Sequence, residues 1–179
     1  KVTNLIINHN QLTNVKGLEK LTKLKSLSLA ANQLTDVKGL EKLTQLTGLI
    51  LGSNKLTEVK ELEKLTQLEK LGLNGNQLTE VPKGLEKLTQ LTTLNLGRNK
   101  LTNVTGLEKL TQLKTLFLSI NQLTEVPKGL EKLTQLETLF LSYNKLTDVK
   151  GLENLTQLTH LYLENNPDLT KAQIDELQK

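Results

Sequence analysis

The sequence predicts an α/β solenoid: a right-handed superhelix with a parallel sheet on its concave side, short 3₁₀ turns or loops on its convex side, and a helix closing the C-terminal end. Three observations carry that prediction. One pattern recurs along the whole chain of 179 residues: LKSLSLAANQL from Leu24, LTGLILGSNKL from Leu46, LEKLGLNGNQL from Leu68, LTTLNLGRNKL from Leu91, LKTLFLSINQL from Leu113 and LETLFLSYNKL from Leu136. A leading copy, VTNLIINHNQL, starts at Val2, and an altered last one, LTHLYLENNPDL, at Leu158. Self-similarity at one short period marks a stack of coils. The asparagine of the pattern recurs at Asn10, Asn32, Asn54, Asn76, Asn99, Asn121, Asn144 and Asn166, with spacings of 22, 22, 22, 23, 22, 23 and 22. Finally, leucine supplies nearly all the aliphatic content, with no Cys, Met or Trp. A single globular core needs side chains of varied size to reach crystal-like density, whereas identical layers reuse one.

Within each coil the first element is a strand. In Lys70 to Asn74 apolar residues alternate, so Leu71 and Leu73 point inward and Lys70, Gly72 and Asn74 outward. The asparagine that follows is polar but fixed in position. Its amide offers two donors and an acceptor, so a buried column of them can bond loop backbone of its own and adjacent coils, a structural role. The two longer coils gain their residue at one place, TEVPKGL at Val81-Pro82 and Val126-Pro127, which lengthens a loop without moving the strand register. On the return path Leu85, Leu88 and Leu91 recur at threes, which suits a 3₁₀ turn. The glycine before that turn (Gly17, Gly39, Gly84, Gly106, Gly129, Gly151) becomes Glu61 in the third coil. Either positive φ is not required there, or that coil is locally different.

The solenoid is assigned to residues 1–166, eight repeats with the first one partial, and a capping helix to 167–179, cut off soon after Lys179. Thr170 with Gln173 forms a capping-box pattern, and Ala172, Ile174 and Leu177 fall on one face to cover the last leucine layer. At the N-terminus the first layer (Leu5, Ile7, Leu12) has no cap. Terminal repeats normally need polar caps, so upstream residues are missing or that end pairs weakly with another copy.

Composition removes several function classes. Without cysteine there are no disulfides, zinc–thiolate sites or thiol nucleophiles. Net charge is +4, but Lys and Glu alternate through each KGLEKL turn, a solvated mixed-sign face rather than a nucleic-acid patch. No apolar run reaches membrane-span length. His9 and His160 fall in the first and last repeats, roughly 34 Å apart across seven strand spacings, too far to share a metal. No nucleotide-binding, zinc-protease or nucleophile-elbow motif occurs. No catalytic residue, metal or cofactor is therefore expected. Threonine columns run from Thr13 to Thr147 and from Thr22 to Thr156. Such ladders can order water, as in ice-binding proteins; the reading taken is that each hydroxyl bonds local backbone.

Functional information should lie where the repeats differ. The middle outward strand position reads Ile6, Ser28, Ile50, Gly72, Asn95, Phe117, Phe140 and Tyr162. Two positions on come Asn8, Ala30, Gly52, Asn74, Gly97, Ser119, Ser142 and Glu164, and then His9, Ala31, Ser53, Gly75, Arg98, Ile120, Tyr143 and Asn165. All four aromatics thus fall on the strand side of the last three repeats, with Ile120 and His160 beside them and Arg98, Lys100 and Lys145 as a basic rim. Large exposed aromatics on a sheet serve as binding anchors. The alternative is that Phe117, Phe140 and Tyr162 stack along the sheet for about 0.2–1 kcal/mol per contact. Gly52, Gly72, Gly75 and Gly97 read as a smooth trough for a partner's side chains.

The recurring LxxLxLxxNQLTDVKGLEKLTQ unit resembles the leucine-rich repeat superfamily over essentially the full chain. It is similar to the internalin-type 22-residue bacterial class, and the VPKGL copies to a 23-residue class with proline in the loop. The resemblance implies a non-catalytic module whose concave face binds a protein or peptide, on a secreted or cell-surface bacterial protein. The near-identity of the repeats fits recent duplication or a consensus design, for which a structural, self-associating scaffold is the alternative function.

Overall fold

The computed structural model describes residues 1–178. Eight three-residue strands, β1 (Asn4–Ile6), β2 (Ser26–Ser28), β3 (Gly48–Ile50), β4 (Lys70–Gly72), β5 (Thr93–Asn95), β6 (Thr115–Phe117), β7 (Thr138–Phe140) and β8 (His160–Tyr162), form one parallel sheet in sequence order. Each strand pairs with the next in register, its central leucine opposite the next central leucine. The register survives both 23-residue repeats, with Lys70 opposite Thr93 and Thr115 opposite Thr138. Each extra residue is absorbed in the loop, where the carbonyl of Pro82 or Pro127 takes the turn-closing bond given to Val15 or Val37 in shorter repeats.

The return path of each of the first seven coils holds a 3₁₀ turn, three residues long in all but the third. Its start shows why glycine recurs. Gly17, Gly39, Gly84, Gly106, Gly129 and Gly151 sit at φ between 93° and 105°, a region costly for residues with a Cβ. Each of these glycine N–H groups donates to the carboxylate two residues on, from Gly17 to Glu19 at 2.6 Å through Gly151 to Glu153 at 2.6 Å. Where Glu61 replaces glycine, the turn starts earlier and runs Lys60–Lys64 from Val59 at φ −146°. Of the two alternatives, positive φ is the rule and the third coil is the exception. Its Glu63, with no glycine N–H to accept from, meets Lys87 of the next coil at 2.7 Å.

The core is a column of leucine layers, from Leu24 to Leu155, with valine from each loop at its margin. Beside it runs the asparagine column. Asn76 Nδ2 donates to the carbonyls of Leu73 in its own coil and Leu51 in the preceding one, and its Oδ1 accepts the N–H of Leu56. Asn32, Asn54, Asn99, Asn121, Asn144 and Asn166 repeat the arrangement and are buried. Asn10 departs from the column: it is exposed and donates to Asn8 of its own coil, because no described coil precedes it to supply a carbonyl.

At the C-terminal end α1 (Lys171–Asp175) begins on a reciprocal capping box between Thr170 and Gln173. The Gln173 amide also reaches the carbonyl of Thr147. The expected apolar face is only partly used. Leu169 and Leu177 rest against the core, but Ala172 is exposed and Ile174 is 40% exposed, since five α-helical residues do not carry three apolar side chains onto one leucine layer. The residue-179 end of the proposed capping segment lies outside the described residues.

Candidate functional site

Strand geometry places the variable residues on one face. Because successive side chains alternate, the residues flanking each central leucine both face away from the core, and in-register pairing aligns them across coils. Asn95, Phe117, Phe140 and Tyr162 are therefore consecutive rungs. The three rings stack face to face: Phe117 to Phe140 at 4.3 Å and 7°, Phe140 to Tyr162 at 4.3 Å and 3°. All three are half-buried. Each ring covers part of the next, and what the stack turns outward is ring edge.

A second column runs beside the first. His9, Ala31, Ser53, Gly75, Arg98, Ile120, Tyr143 and Asn165 all have φ between 53° and 64°. Their N–H groups continue the inter-coil bonding, Arg98 to Ser119 O, Ile120 to Ser142 O and Tyr143 to Glu164 O. The turn out of each strand requires this left-handed residue, and glycine supplies it once, at Gly75. Ile120 and Tyr143 hold it at a cost and stay exposed, 40% and 57%. A β-branched residue at positive φ is an outlier of its type. Tyr143 is thus outside the ring stack, in the turn beyond β7.

Around these lie the remaining predicted residues. Arg98 and Lys145 are exposed, Lys145 in the position after the column asparagine. His160 opens β8 on the same face as Tyr162, with its Nδ1 2.9 Å from the Thr159 hydroxyl. Glu164, outside the predicted anchor set, accepts from the Ser142 hydroxyl. That bond, then one from its own backbone N–H, holds its carboxyl below the usual 4.5. Its place in an outward column was the only sign of it in the sequence.

The glycine trough is closed at three of its four positions, and Gly75 alone is half-buried. A Cβ on Gly52 would lie 2.7 Å from Asn74 Oδ1, one on Gly72 3.2 Å from Ile50 Cδ1, and one on Gly97 3.2 Å from Asn95 Oδ1. Side chains from the same or adjacent coils occupy the space over these glycines, so Gly52, Gly72 and Gly97 are buried. The threonine expectation also fails for most of its column. Among the described residues, Thr147 alone of that column gives its hydroxyl to a carbonyl, that of Thr124; the others are exposed to water. The hydroxyls that do bond backbone, Thr47, Thr92 and Thr159, precede strands instead.

Among the described residues no group of three or more His, Asp or Glu converges to hold a metal, and no helix is long and apolar enough to cross a membrane. The family profile described as a leucine-rich repeat region matches residues 50–179, and one described as two copies of leucine-rich repeats matches residues 1–42. The chain belongs to the leucine-rich repeat family. Its fold is similar to internalin C2 from Listeria monocytogenes, with 32% identity over 94% of this chain and 74% of that one, at a TM-score of 0.87. Internalin InlF from Listeria monocytogenes is similar at 28% identity and TM-score 0.57, over 90% of this chain and 60% of that one. The leucine-rich repeat ectodomain of the receptor kinase GASSHO1/SCHENGEN3 from Arabidopsis thaliana, solved in complex with Casparian strip integrity factor 2, aligns at 34% identity and TM-score 0.74, over 89% of this chain but 21% of that one. No curated protein matches the chain. This internalin-like leucine-rich repeat solenoid belongs to a family that typically recognises other proteins rather than catalysing reactions.

Proposed function

We propose that this chain is a non-enzymatic recognition module that binds a protein or peptide with the sheet face of its last three repeats. One observation carries the reading: the chain's four aromatic residues and Ile120 converge on that face while the scaffold around them stays nearly invariant. Ile120 and Tyr143 keep large side chains at positive φ, where glycine or asparagine would be easier. Backbone strain held at an exposed apolar patch is a mark of a functional surface. The stack of Phe117, Phe140 and Tyr162 pre-orders its own rings, which lowers the entropy lost on binding. The complex of the plant receptor ectodomain with its factor supports the same use of the architecture.

The test compares capture of binding proteins by the wild-type chain, by Phe140→Ala, by Tyr143→Ala and by a control on the opposite side, Thr66→Ala. The expected result is loss of the same captured species in both aromatic variants and not in the control. Equal capture by all four overturns the site. A second reading, weak self-association, draws on the N-terminal end, where Ile6 is 74% and Val2 54% exposed beside half-buried Leu5, Ile7 and Leu12. Light scattering that stays monomeric across concentration rejects it.

A further inference from the structure

Charge on the sheet side is not mixed as it is elsewhere. The first outward strand position carries one charged residue, Lys70, and the next-but-one beyond the rings carries Glu164. The left-handed column carries Arg98, and the position after the column asparagine carries Lys55, Lys100 and Lys145. That is five cations against one carboxylate. The column just before the strands is balanced, Lys25 and Lys114 against Glu69 and Glu137, and Lys114 meets Glu137 at 3.6 Å. The other carboxylates lie in the return loops, the turns and the C-terminal segment. The two ion pairs among the described residues, Lys87–Glu63 and Lys114–Glu137, use none of the five cations. Glu164, the lone carboxylate, is already engaged by Ser142.

The rings add a second, independent preference. Phe140 has both faces covered and Phe117 and Tyr162 one face each, so along its length the stack shows ring edge and only its two end faces are left free of another ring. An aromatic edge carries the positive end of the ring quadrupole, which favours carboxylate oxygens, while the apolar ring surface favours aliphatic groups by burial. Nucleobases instead need open ring faces to stack on. From these two features, and resting on the recognition role above, we infer that the partner is an acidic protein segment. Its aliphatic side chains settle on Phe117, Phe140, Ile120 and Tyr143, and its carboxylates meet Arg98, Lys100 and Lys145 along the rim. Rim charges act mainly on association rate and selectivity, screened by salt.

The experiment titrates the intact chain with a panel of fluorescent leucine-containing peptides, acidic, neutral and basic, and with a single-stranded oligonucleotide. Acidic peptides are expected to bind best, to weaken with added salt, and to lose about tenfold or more in affinity with the double variant Arg98→Glu, Lys145→Glu. Both positions are exposed, and circular dichroism confirms that the variant folds. Neutral peptides bound as tightly as acidic ones, and lost in Phe140→Ala, overturn the acidic preference but leave the recognition site standing. Acidic peptides bound equally by Phe140→Ala and Tyr143→Ala overturn the site itself. Tighter binding of the oligonucleotide, or no binding of any peptide, overturns the inference.

Discussion

Asparagine and the left-handed residue before it set the cost of each coil at the scale of single side chains. Asn76 satisfies two carbonyls and one N–H at once, all in buried surroundings, and no buried side-chain polar atom among the described residues lacks a partner. Alanine there leaves those backbone groups unpaired, at about 1–3 kcal/mol for a buried group. Asn76→Ala is therefore expected to destabilise by about 3 kcal/mol, against less than about 1 kcal/mol for exposed Asn10→Ala, read from urea midpoints. The left-handed column gives the opposite sign. Ser53 sits at φ 55°, exposed, where Gly75 of the next coil shows that glycine fits. Ser53→Gly is expected to stabilise by about 1 kcal/mol, and a lower midpoint in the same assay contradicts it. Neither effect is visible in composition. The asparagine column announces itself by spacing, whereas the positive φ beside it is filled by eight different contexts and only one glycine.

Every return-path 3₁₀ turn but that of the third coil is an element with its own cap, and the glutamate that supplies it was legible only as half of a mixed-charge face. The Gly-Leu-Glu order gives the reason in retrospect: a left-handed glycine aims its N–H at the carboxylate two residues on. Glu108 shows the electrostatic result. Hydrogen bonds from its own N–H and from Gly106 hold its carboxyl below the ordinary 4.5, as they do for Glu19. A depressed carboxylate contributes stability that is present above the unfolded value and lost as pH falls through the folded one. The caps at Glu19 and Glu108 should therefore weaken only below about pH 4.5. Glu63 and Lys87 form a pair with two limits. The Lys87 ammonium, through hydrogen bond and then charge, lowers Glu63, and Glu63 raises Lys87 above 10.5. Its contribution is lost in acid as Glu63 protonates and in strong alkali as Lys87 deprotonates. The gap in melting temperature between wild type and Glu63→Gln should be small at neutral pH, as for any solvent-exposed pair, and should close below about pH 4.5. A gap that widens in acid contradicts this assignment.

Coil number, strand register, the asparagine column and the in-register ring column were all readable from the sequence, because a repeat turns sequence spacing into spatial adjacency. What escaped was how side chains fold over the backbone of their own and adjacent coils and over the C-terminal end. The glycine trough is filled by Ile50, Asn74 and Asn95, and the C-terminal helix covers less than its pattern promised because Ile174 turns to solvent. The same nearest-neighbour logic governs how the molecule comes apart. Each coil contacts only the coils beside it, so stability is close to a sum of coil and interface terms. An end coil lacks one interface. At the N-terminal end of the described residues Leu5, Ile7 and Leu12 are half-buried and Asn10 bonds no preceding coil, whereas Leu94 and Leu116 are fully enclosed. Leu94→Ala is therefore expected to cost about 3–5 kcal/mol through an enclosed cavity, and Leu5→Ala less than half of that. Hydrogen exchange on the wild-type chain should rank the amides the same way. The slowest should be those of β4 to β6, and the fastest those of β1 and α1, because local opening starts where contacts are fewest. Under that ranking the ring stack on β6 to β8 straddles a rigid centre and a looser end. Equal protection along all eight strands would mean that the solenoid opens as one unit, and the coil-by-coil account would fail.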